Sequence, residues 1–545
     1  MHPLTRMKRV PPAAEPDSGN TAFYVTTPIY YVNDAPHIGH AYTTVMGDII
    51  TRWHRQRGED VWYLTGTDEH GLKVLRKAEE NGVTPQEWAD RLIEDEWMPL
   101  LETIDVANDD FIRTTEQRHL DGSKAFWQDL YDRGAVYKGE FSGYYSVGAE
   151  EFVGDDDVAD GEGDDEGFKI STIDGSRVEH MTEENYFFKL SEYQQPLLDF
   201  YEANPDFIQP ASARNEIVAF VRRGLNDLSM SRSTFDWGIQ VPWDEKHVMY
   251  VWIEALLNYV TAIGYGTDQE RFDRIWPADI HIVGKDIARF HAVIWPAMLM
   301  AAGQPVPHQV FAHGWLLVGG QKMSKSKANG IRPDELVDVF GSDAYRYYFA
   351  RALTFGSDGS ISWEDIHARY HAELANGFGN LASRVSAMIG SYFGGTLPTA
   401  GDLTDAESKI VRTVESAVAD AEAAVDAVAP QDALAAIWRI VEDLNGYLTE
   451  QEPWKLAKAE PDAAAQGGRL ATILVTAAEG LRALAVLLNP VMPKASAALW
   501  SSLGAEPALG PLADQRVADV ATWGALPAGS TITKVPSLFP RIEAQ

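Results

Sequence analysis

One stretch near the start of the chain limits what it can fold into. Residues 22–31 (AFYVTTPIYY) are dominated by β-branched and aromatic side chains and read as a strand. A loop through Asn33, Asp34 and Pro36 follows. Ile38, Tyr42, Val45, Ile49 and Trp53 then recur at helical spacing until Gly58. Residues 61–64 read as a second short strand and 85–101 as a long helix. This alternation predicts a parallel sheet covered by helices, an α/β architecture.

The alternation breaks near Tyr137. Residues 138–237 hold short strand-like pieces and an acidic run over 155–166, which reads as an insertion. The α/β pattern returns with a strand at 280–284 and a helix at 290–300. From about 369 to the end nearly everything reads as helix, rich in Ala and Leu, which predicts an α-helical bundle. A chain of 545 residues, 45% apolar, has material for several cores. It has no cysteine, so disulfides, thiolate metal sites and cysteine nucleophiles are excluded. Residues 1–21 carry Arg6, Lys8 and Arg9 but no apolar run after them, and read as a disordered tail rather than a signal peptide. The most membrane-like stretch, 469–488, is interrupted by Glu479 and Arg482 and reads as a buried or amphipathic helix. A soluble cytoplasmic protein is expected. The net charge of −34 argues, taken alone, against nucleic-acid binding.

Two short motifs carry phosphate chemistry. His37-Ile38-Gly39-His40 falls between the first strand and its helix, where unpaired amides and the helix dipole favour anions. Two imidazoles three residues apart can donate to phosphate oxygens, and Gly39 lets a flat base approach the backbone. For an isolated histidine, capping or surface exposure is the plainer reading. The second motif, Lys322-Met323-Ser324-Lys325-Ser326, is preceded by Gly319-Gly320 and followed by Asn329-Gly330. Its lysines suit a departing pyrophosphate, and removing one such contact typically raises a barrier by about 3–4 kcal/mol. Three lysines within six residues (Lys322, Lys325, Lys327) are conspicuous in so acidic a chain.

Together the two motifs resemble those of the class I aminoacyl-tRNA synthetases, and the resemblance covers nearly the whole chain. It implies ATP-dependent formation of an aminoacyl-adenylate, transfer to tRNA, magnesium accompanying ATP, and a Rossmann-type catalytic domain. On that reading residues 22–137 and 238–320 are the two halves of the catalytic domain, 138–237 a connective insertion, 321–368 the lysine loop and stem-contact region, and 369–545 the anticodon-binding bundle. His37, His40, Lys322 and Lys325 would be catalytic. ATP would also meet Gly39, Gly284, Asp286, Met323, Ser324 and Ser326, with Asp286 near the ribose; a helix N-cap is an equally good role for that aspartate and compatible with the first.

Within the class, TPIYYVN before H-I-G-H, GTDEHG at 66–71, ENYFFKL at 184–190, YVWIEA at 250–255 and His313-Gly314-Trp315 are similar to the methionyl enzymes. By that resemblance Ile29, Tyr31, Trp252, Ala255, Tyr259, Ile287 and His291 line the methionine pocket and Asp48 holds the ammonium group. Trp252, Ala255, Leu256 and Tyr259 share one helical face, for which ordinary core packing is the plainer reading. Asn380, Arg384 and Trp454 would read the anticodon of initiator and elongator tRNA. Many methionyl enzymes carry a zinc knuckle built on C-x-x-C pairs; the matching stretch here, YYSVGAEE at 144–151, has none, so no structural zinc is expected. A monomer is expected, since no further domain follows the bundle. Another class I synthetase and a non-catalytic tRNA-binding relative are the competing readings, and the intact phosphate motifs argue against the second.

Between residues 369 and 398 the only acid is Glu373. A narrow tRNA footprint on an otherwise repulsive body is therefore expected, and tRNA affinity measured against salt should fall steeply on a log–log plot.

Overall fold

The computed structural model describes residues 22–146, 151–153, 158–161, 168–172, 175–318, 321–322, 331–459 and 465–542. Strand β1 (Ala22–Tyr31) leads into helix α1 (Ile38–Arg57) and strand β2 (Asp60–Asp68), followed by β3 (Asp110–Arg113). Then come β4 (Val136–Ser146), β5 (Arg177–Phe188), β6 (Ile208–Gln209), α2 (Val251–Leu256), α3 (Asn258–Thr261), β7 (Ile280–Gly284), α4 (Trp295–Ala302) and β8 (Gln309–His313). The remainder is mainly helical: α5 (Ser342–Ala352), α6 (Asn380–Phe393), α7 (Asp405–Asp426), α8 (Pro430–Gln451), α9 (Pro453–Ala459), α10 (Arg469–Leu488) and α11 (Pro493–Ser502). These elements form two compact units. Among the described residues, the first comprises those up to 36, 62–99 and 108–313; the second comprises 37–61, 100–107 and those from 314 onward.

The first unit is built on a six-stranded sheet in the order β3-β2-β1-β7-β8-β6. The pairs β2–β3, β1–β7, β7–β8 and β8–β6 run parallel. β1 lies in the middle with most of its residues buried, which is why its sequence is β-branched and aromatic throughout rather than alternating. The strand order reverses between β1 and β7, so a crevice opens at their carboxyl ends. β4 and β5 leave this sheet and pair antiparallel from Val136–Phe188 to Ser146–Val178. Residues 138–237, read from sequence as insertion, nevertheless include β6, which pairs with β8 of the main sheet. A strand of two residues is too short to leave a periodic signal.

In the second unit α7 and α8 pack against α10, whose residues are nearly all buried. α10 is long and apolar enough by composition to cross a membrane, but 94% of that window lies inside the protein, as befits a core helix. The two charges in its buried stretch pair with each other: Arg482 Nε donates to Glu479 Oε2 at 2.9 Å, with side-chain exposures of 4% and 0%. Arg482 also donates to the carbonyls of Val520 and Thr522, and Glu479 accepts the Leu526 amide at 2.6 Å. The pair thus ties the terminal segment to the bundle. That segment corrects the expectation of helix to the end: after α11 the described chain has only Glu506–Leu509 and two short 3₁₀ turns. It is held instead by backbone bonds such as Ile532 N to Gly395 O at 2.7 Å.

Glu479→Ala would strand the Arg482 guanidinium in the core. Breaking one side of a buried pair costs about 3–5 kcal/mol. Chemical denaturation should report a loss on that scale for Glu479→Ala, and a much smaller one when both charges are replaced by apolar residues of similar volume.

Candidate active site

α1 begins at the H-I-G-H motif, and its cap is made by the two histidines themselves. His37 Nδ1 accepts the Gly39 amide at 3.0 Å, and His40 Nδ1 accepts the His37 amide at 3.2 Å, a reciprocal capping box. An Nδ1 that accepts cannot carry the ring proton, so in both neutral rings the proton sits on Nε2 as a donor. The rings stack with centroids 3.7 Å apart. A Cβ on Gly39 would lie 2.9 Å from His37 Cε1, so glycine is needed for this stack. The capping role and an anion-binding role are therefore compatible: the caps use Nδ1 and leave donor character to Nε2.

The pocket residues of the first unit gather beside the sheet reversal. Tyr259 is 1% exposed, and its hydroxyl lies 2.7 Å from His291 Nε2. His291 Nδ1 is 3.0 Å from the Ile287 carbonyl and must donate to it. The proton is thereby fixed on Nδ1, and Tyr259 donates to Nε2. Burial pushes the His291 pKa down to about 4, against a small upward pull from the Ile287 carbonyl. His291 lies in a π-helical turn, Phe290–Ile294, that opens the helix continuing into α4. Phe290 stacks on Trp252 with centroids 4.8 Å apart. Ile29, Tyr31, Trp252 and Ile287 are half-buried against the same core as Tyr259. Ala255, 9% exposed, lies on α2 with Trp252. Gly284 ends β7, and the exposed Asp286 follows in the turn; a Cβ on Gly284 would lie 2.5 Å from Asp286 Oδ1.

Asp48 requires a correction. It is fully buried; its Oδ2 accepts Arg346 at 2.6 Å and Arg52 at 2.7 Å, and its Oδ1 accepts the Ala107 amide at 2.8 Å. Burial pushes its carboxyl up, but the two guanidiniums and the amide outweigh it and hold the pKa below the usual range. A carboxylate so engaged does not take up a substrate ammonium. Sequence reasoning missed Asp68, the last residue of β2, 4% exposed, whose carbonyl accepts the Val32 amide at 3.2 Å just past β1. It also missed a buried network that reaches Tyr31. Glu254 accepts from His70 and His119, each at 3.0 Å, and the Tyr31 hydroxyl donates to the His70 carbonyl at 3.0 Å. Burial raises the Glu254 carboxyl, yet the histidines bring it down to about 2. The available signal was the run of ionisable residues in TDEHG directly after a strand.

In the second unit Lys322 closes a strand pair, Gln321–Lys322 against Leu316–Val318. Met323, Ser324, Lys325 and Ser326 lie outside the described residues, as does most of the acidic run 155–166. Asn380 and Arg384 stand one turn apart on α6, and the Arg384 guanidinium lies 5.7 Å from the centre of the Trp454 ring on α9. Two residues 70 positions apart are thus brought together. Among the described residues no group of three or more His, Asp or Glu is placed to hold a metal.

The sheet reversal, the double-histidine cap and the helical carboxyl-terminal half define a class I aminoacyl-tRNA synthetase. Residues 23–163 and 167–386 match the family described as tRNA synthetases class I (M), and 397–545 match the anticodon binding domain of methionyl tRNA ligase. The chain is 62% identical to a methionine--tRNA ligase of Streptomyces coelicolor, over 96% of this chain and 97% of that one, and 46% identical to one of Brucella suis, over 95% and 98%. It superposes on a Mycobacterium tuberculosis methionyl-tRNA synthetase solved in complex with methionyl-adenylate with a TM-score of 0.90 at 42% identity, covering 96% of this chain and 100% of that one. The chain belongs to the methionyl-tRNA synthetase family.

The His291 geometry has a pH signature. Because the folded value of about 4 is below the ordinary value of 6.5, the unfolded state binds the proton first as pH falls. Stability should therefore decline from about pH 6.5 toward 4, and ring ¹⁵N shifts should show a neutral, Nδ1-protonated His291 throughout that window. Titration near 6.5 would contradict the buried hydrogen-bonded chain.

Proposed function

We propose that the pocket around Tyr259 and His291 selects methionine and that the α1 histidines and the lysine loop handle the ATP phosphates. The enzyme is a methionine--tRNA ligase: it activates L-methionine with ATP to methionyl-adenylate and pyrophosphate, then transfers the methionyl group to its tRNA. The observation that carries the substrate assignment is the neutral Tyr259–His291–Ile287 chain set in an aromatic and aliphatic wall. A flexible thioether is apolar, polarizable and only a weak acceptor, so it suits rings and a single polar pair.

In this reading Ile29, Tyr31, Trp252, Ala255 and Ile287 contact the side chain, and Asp68 replaces Asp48 as partner of the ammonium group, since a buried carboxylate at the carboxyl end of β2 lies at the ligand-binding edge of an open sheet. The methionine carboxylate attacks the α-phosphate, and pyrophosphate leaves. His37 and His40 donate from Nε2 to phosphate oxygens, Gly39 admits the base, Gly284 and Asp286 take the ribose, and Lys322, Lys325 and the residues Met323, Ser324 and Ser326 accompany the leaving group. Fixed donors of this kind stabilise charge as it develops. Magnesium enters as the ATP complex. The division into 22–320 for adenylation with its insertion at 138–237, 321–368 for the lysine loop and 369–545 for the anticodon belongs to the same proposal. So do a zinc-free monomer in the cytoplasm and service to both initiator and elongator tRNA. Asn380 and Arg384 hydrogen-bond a base while Trp454 stacks, a contact worth roughly 1–3 kcal/mol per base.

ATP–pyrophosphate exchange against all twenty amino acids, without tRNA, should respond to methionine alone. Response to another amino acid would overturn the pocket, and no response would shift attention to tRNA binding. Trp454→Ala or Arg384→Ala should abolish most charging and spare exchange, whereas Lys325→Ala should lower exchange and leave tRNA affinity largely intact. Elemental analysis of the purified protein should find less than stoichiometric zinc.

A further inference from the structure

Arg346 lies on α5 and its side chain is fully buried. Its five N–H groups all have acceptors. Nε donates to Val491 O at 2.9 Å; one terminal nitrogen donates to Ile104 O at 3.2 Å and Asp105 O at 3.1 Å; the other donates to Pro490 O at 2.8 Å and Asp48 Oδ2 at 2.6 Å. An arginine can donate five times from one plane, and here the full set is spent. Asp48 is the only anion among these acceptors, and it lies on α1, eight positions beyond His40. Arg52, one turn further along α1, donates to the same carboxylate at 2.7 Å and to Asp105 O at 2.9 Å. Asp105 itself holds φ at 58°, a left-handed conformation unusual for a residue other than glycine. Its carbonyl takes both guanidiniums.

Four segments meet at this point: α1, the loop at 104–107, α5, and the turn at 490–491 between α10 and α11. All belong to the second unit. We propose that Asp48 and Arg346 are positioning residues for adenylate formation, a clamp that fixes the axial and rotational setting of α1, and hence of His37 and His40 at its start, against the turn at Pro490–Val491 of the carboxyl-terminal bundle. The proposal rests on the reading that the two histidines hold the ATP phosphates. The physical reason is that α1 is a rigid helix: a shift where its middle is clamped is carried to its first turn. A misplacement of about 1 Å near reacting atoms can cost on the order of a hundredfold in rate. Lysine cannot replace Arg346, because it has three donors at one point rather than five in a planar fork. Asparagine cannot replace Asp48 without turning an NH₂ group toward a guanidinium or toward the Ala107 amide.

The test is steady-state ATP–pyrophosphate exchange with the full-length protein carrying Asp48→Asn, Arg346→Lys or Arg52→Gln, alongside His40→Ala and a thermal melt of each. Asp48→Asn and Arg346→Lys should lower kcat about tenfold to a hundredfold while KM for methionine changes less than about threefold. Arg52→Gln, at a partly exposed position, should fold and show a smaller fall in the same constant. If either clamp variant fails to fold, Arg52→Gln decides. A raised KM for methionine at unchanged kcat would make Asp48 a substrate ligand and overturn the proposal. Unchanged kinetics with only a lowered melting temperature would reduce the cluster to structure and overturn it too. His40→Ala separates the two levels: if it leaves exchange intact, the phosphate reading fails; if it abolishes exchange while the clamp variants keep their kcat, the clamp alone fails.

Discussion

The second unit is organised around one buried ion pair, Asp48 with Arg346, joined by residues 298 positions apart. Either charge alone would be prohibitive at this depth, and the pair is tolerable because every guanidinium N–H and both carboxylate oxygens are engaged. The consequence is geometric. A guanidinium that collects four carbonyls and one carboxylate admits a single arrangement of the segments that supply them. α1 is further held by Gln56 Nε2 on the Val486 carbonyl at 2.9 Å and by Arg57 on Glu422. The helix that begins with the paired histidines is therefore a fixed part of the helical half of the chain.

In the first unit the corresponding constraint is the strand order. Reversal between β1 and β7 leaves the carboxyl ends of the central strands uncovered by a direct crossover, and the residues with chemical character lie at those ends: Tyr31 on β1, Asp68 on β2, Gly284 on β7. The core around Tyr259 and His291 is made firm by buried polar groups that are satisfied in turn. Thr26 Oγ1 meets His281 Nδ1 at 2.6 Å, Trp295 donates to His281 Nε2 at 3.2 Å, and burial holds His281 neutral, well below its usual pKa. Glu254, on α2, is likewise satisfied by His70 and His119. Tyr259 and the rings around it thus sit on buried polar groups that are themselves hydrogen-bonded, which limits how far the rings can move.

The parts of the site that were legible in the sequence are those whose geometry is local. The histidine cap needs only residues 37–40, and its spacing specifies it. Trp252 and Ala255 lie together on α2 as helical periodicity predicts, although the break at Leu257, which puts Tyr259 on α3, was not foreseen. The approach of Arg384 to Trp454 was not visible as geometry, since nothing in either segment names the other. Asp48 was misassigned for the same reason: its place on the helix says which neighbours lie on its face but not what packs against that face, and the answer was an arginine on α5. β6 escaped notice because two residues carry no pattern, and the terminal segment was read as helix because Ala-rich composition persists there after capping and packing have ended it.

The sequence by itself determined the class of sheet, the order of its parts, the phosphate motifs and the substrate family, because these follow from local periodicity, from short motifs and from residue chemistry. Tertiary structure alone decided which carboxylate is committed to an internal ion pair and which stands at the sheet edge, which nitrogen of each histidine carries the proton, and which helix the terminal segment braces. Those outcomes depend on burial and on partners far away in the chain. The free energy of a charge or a ring proton is set by what surrounds it in space, and no local pattern records that.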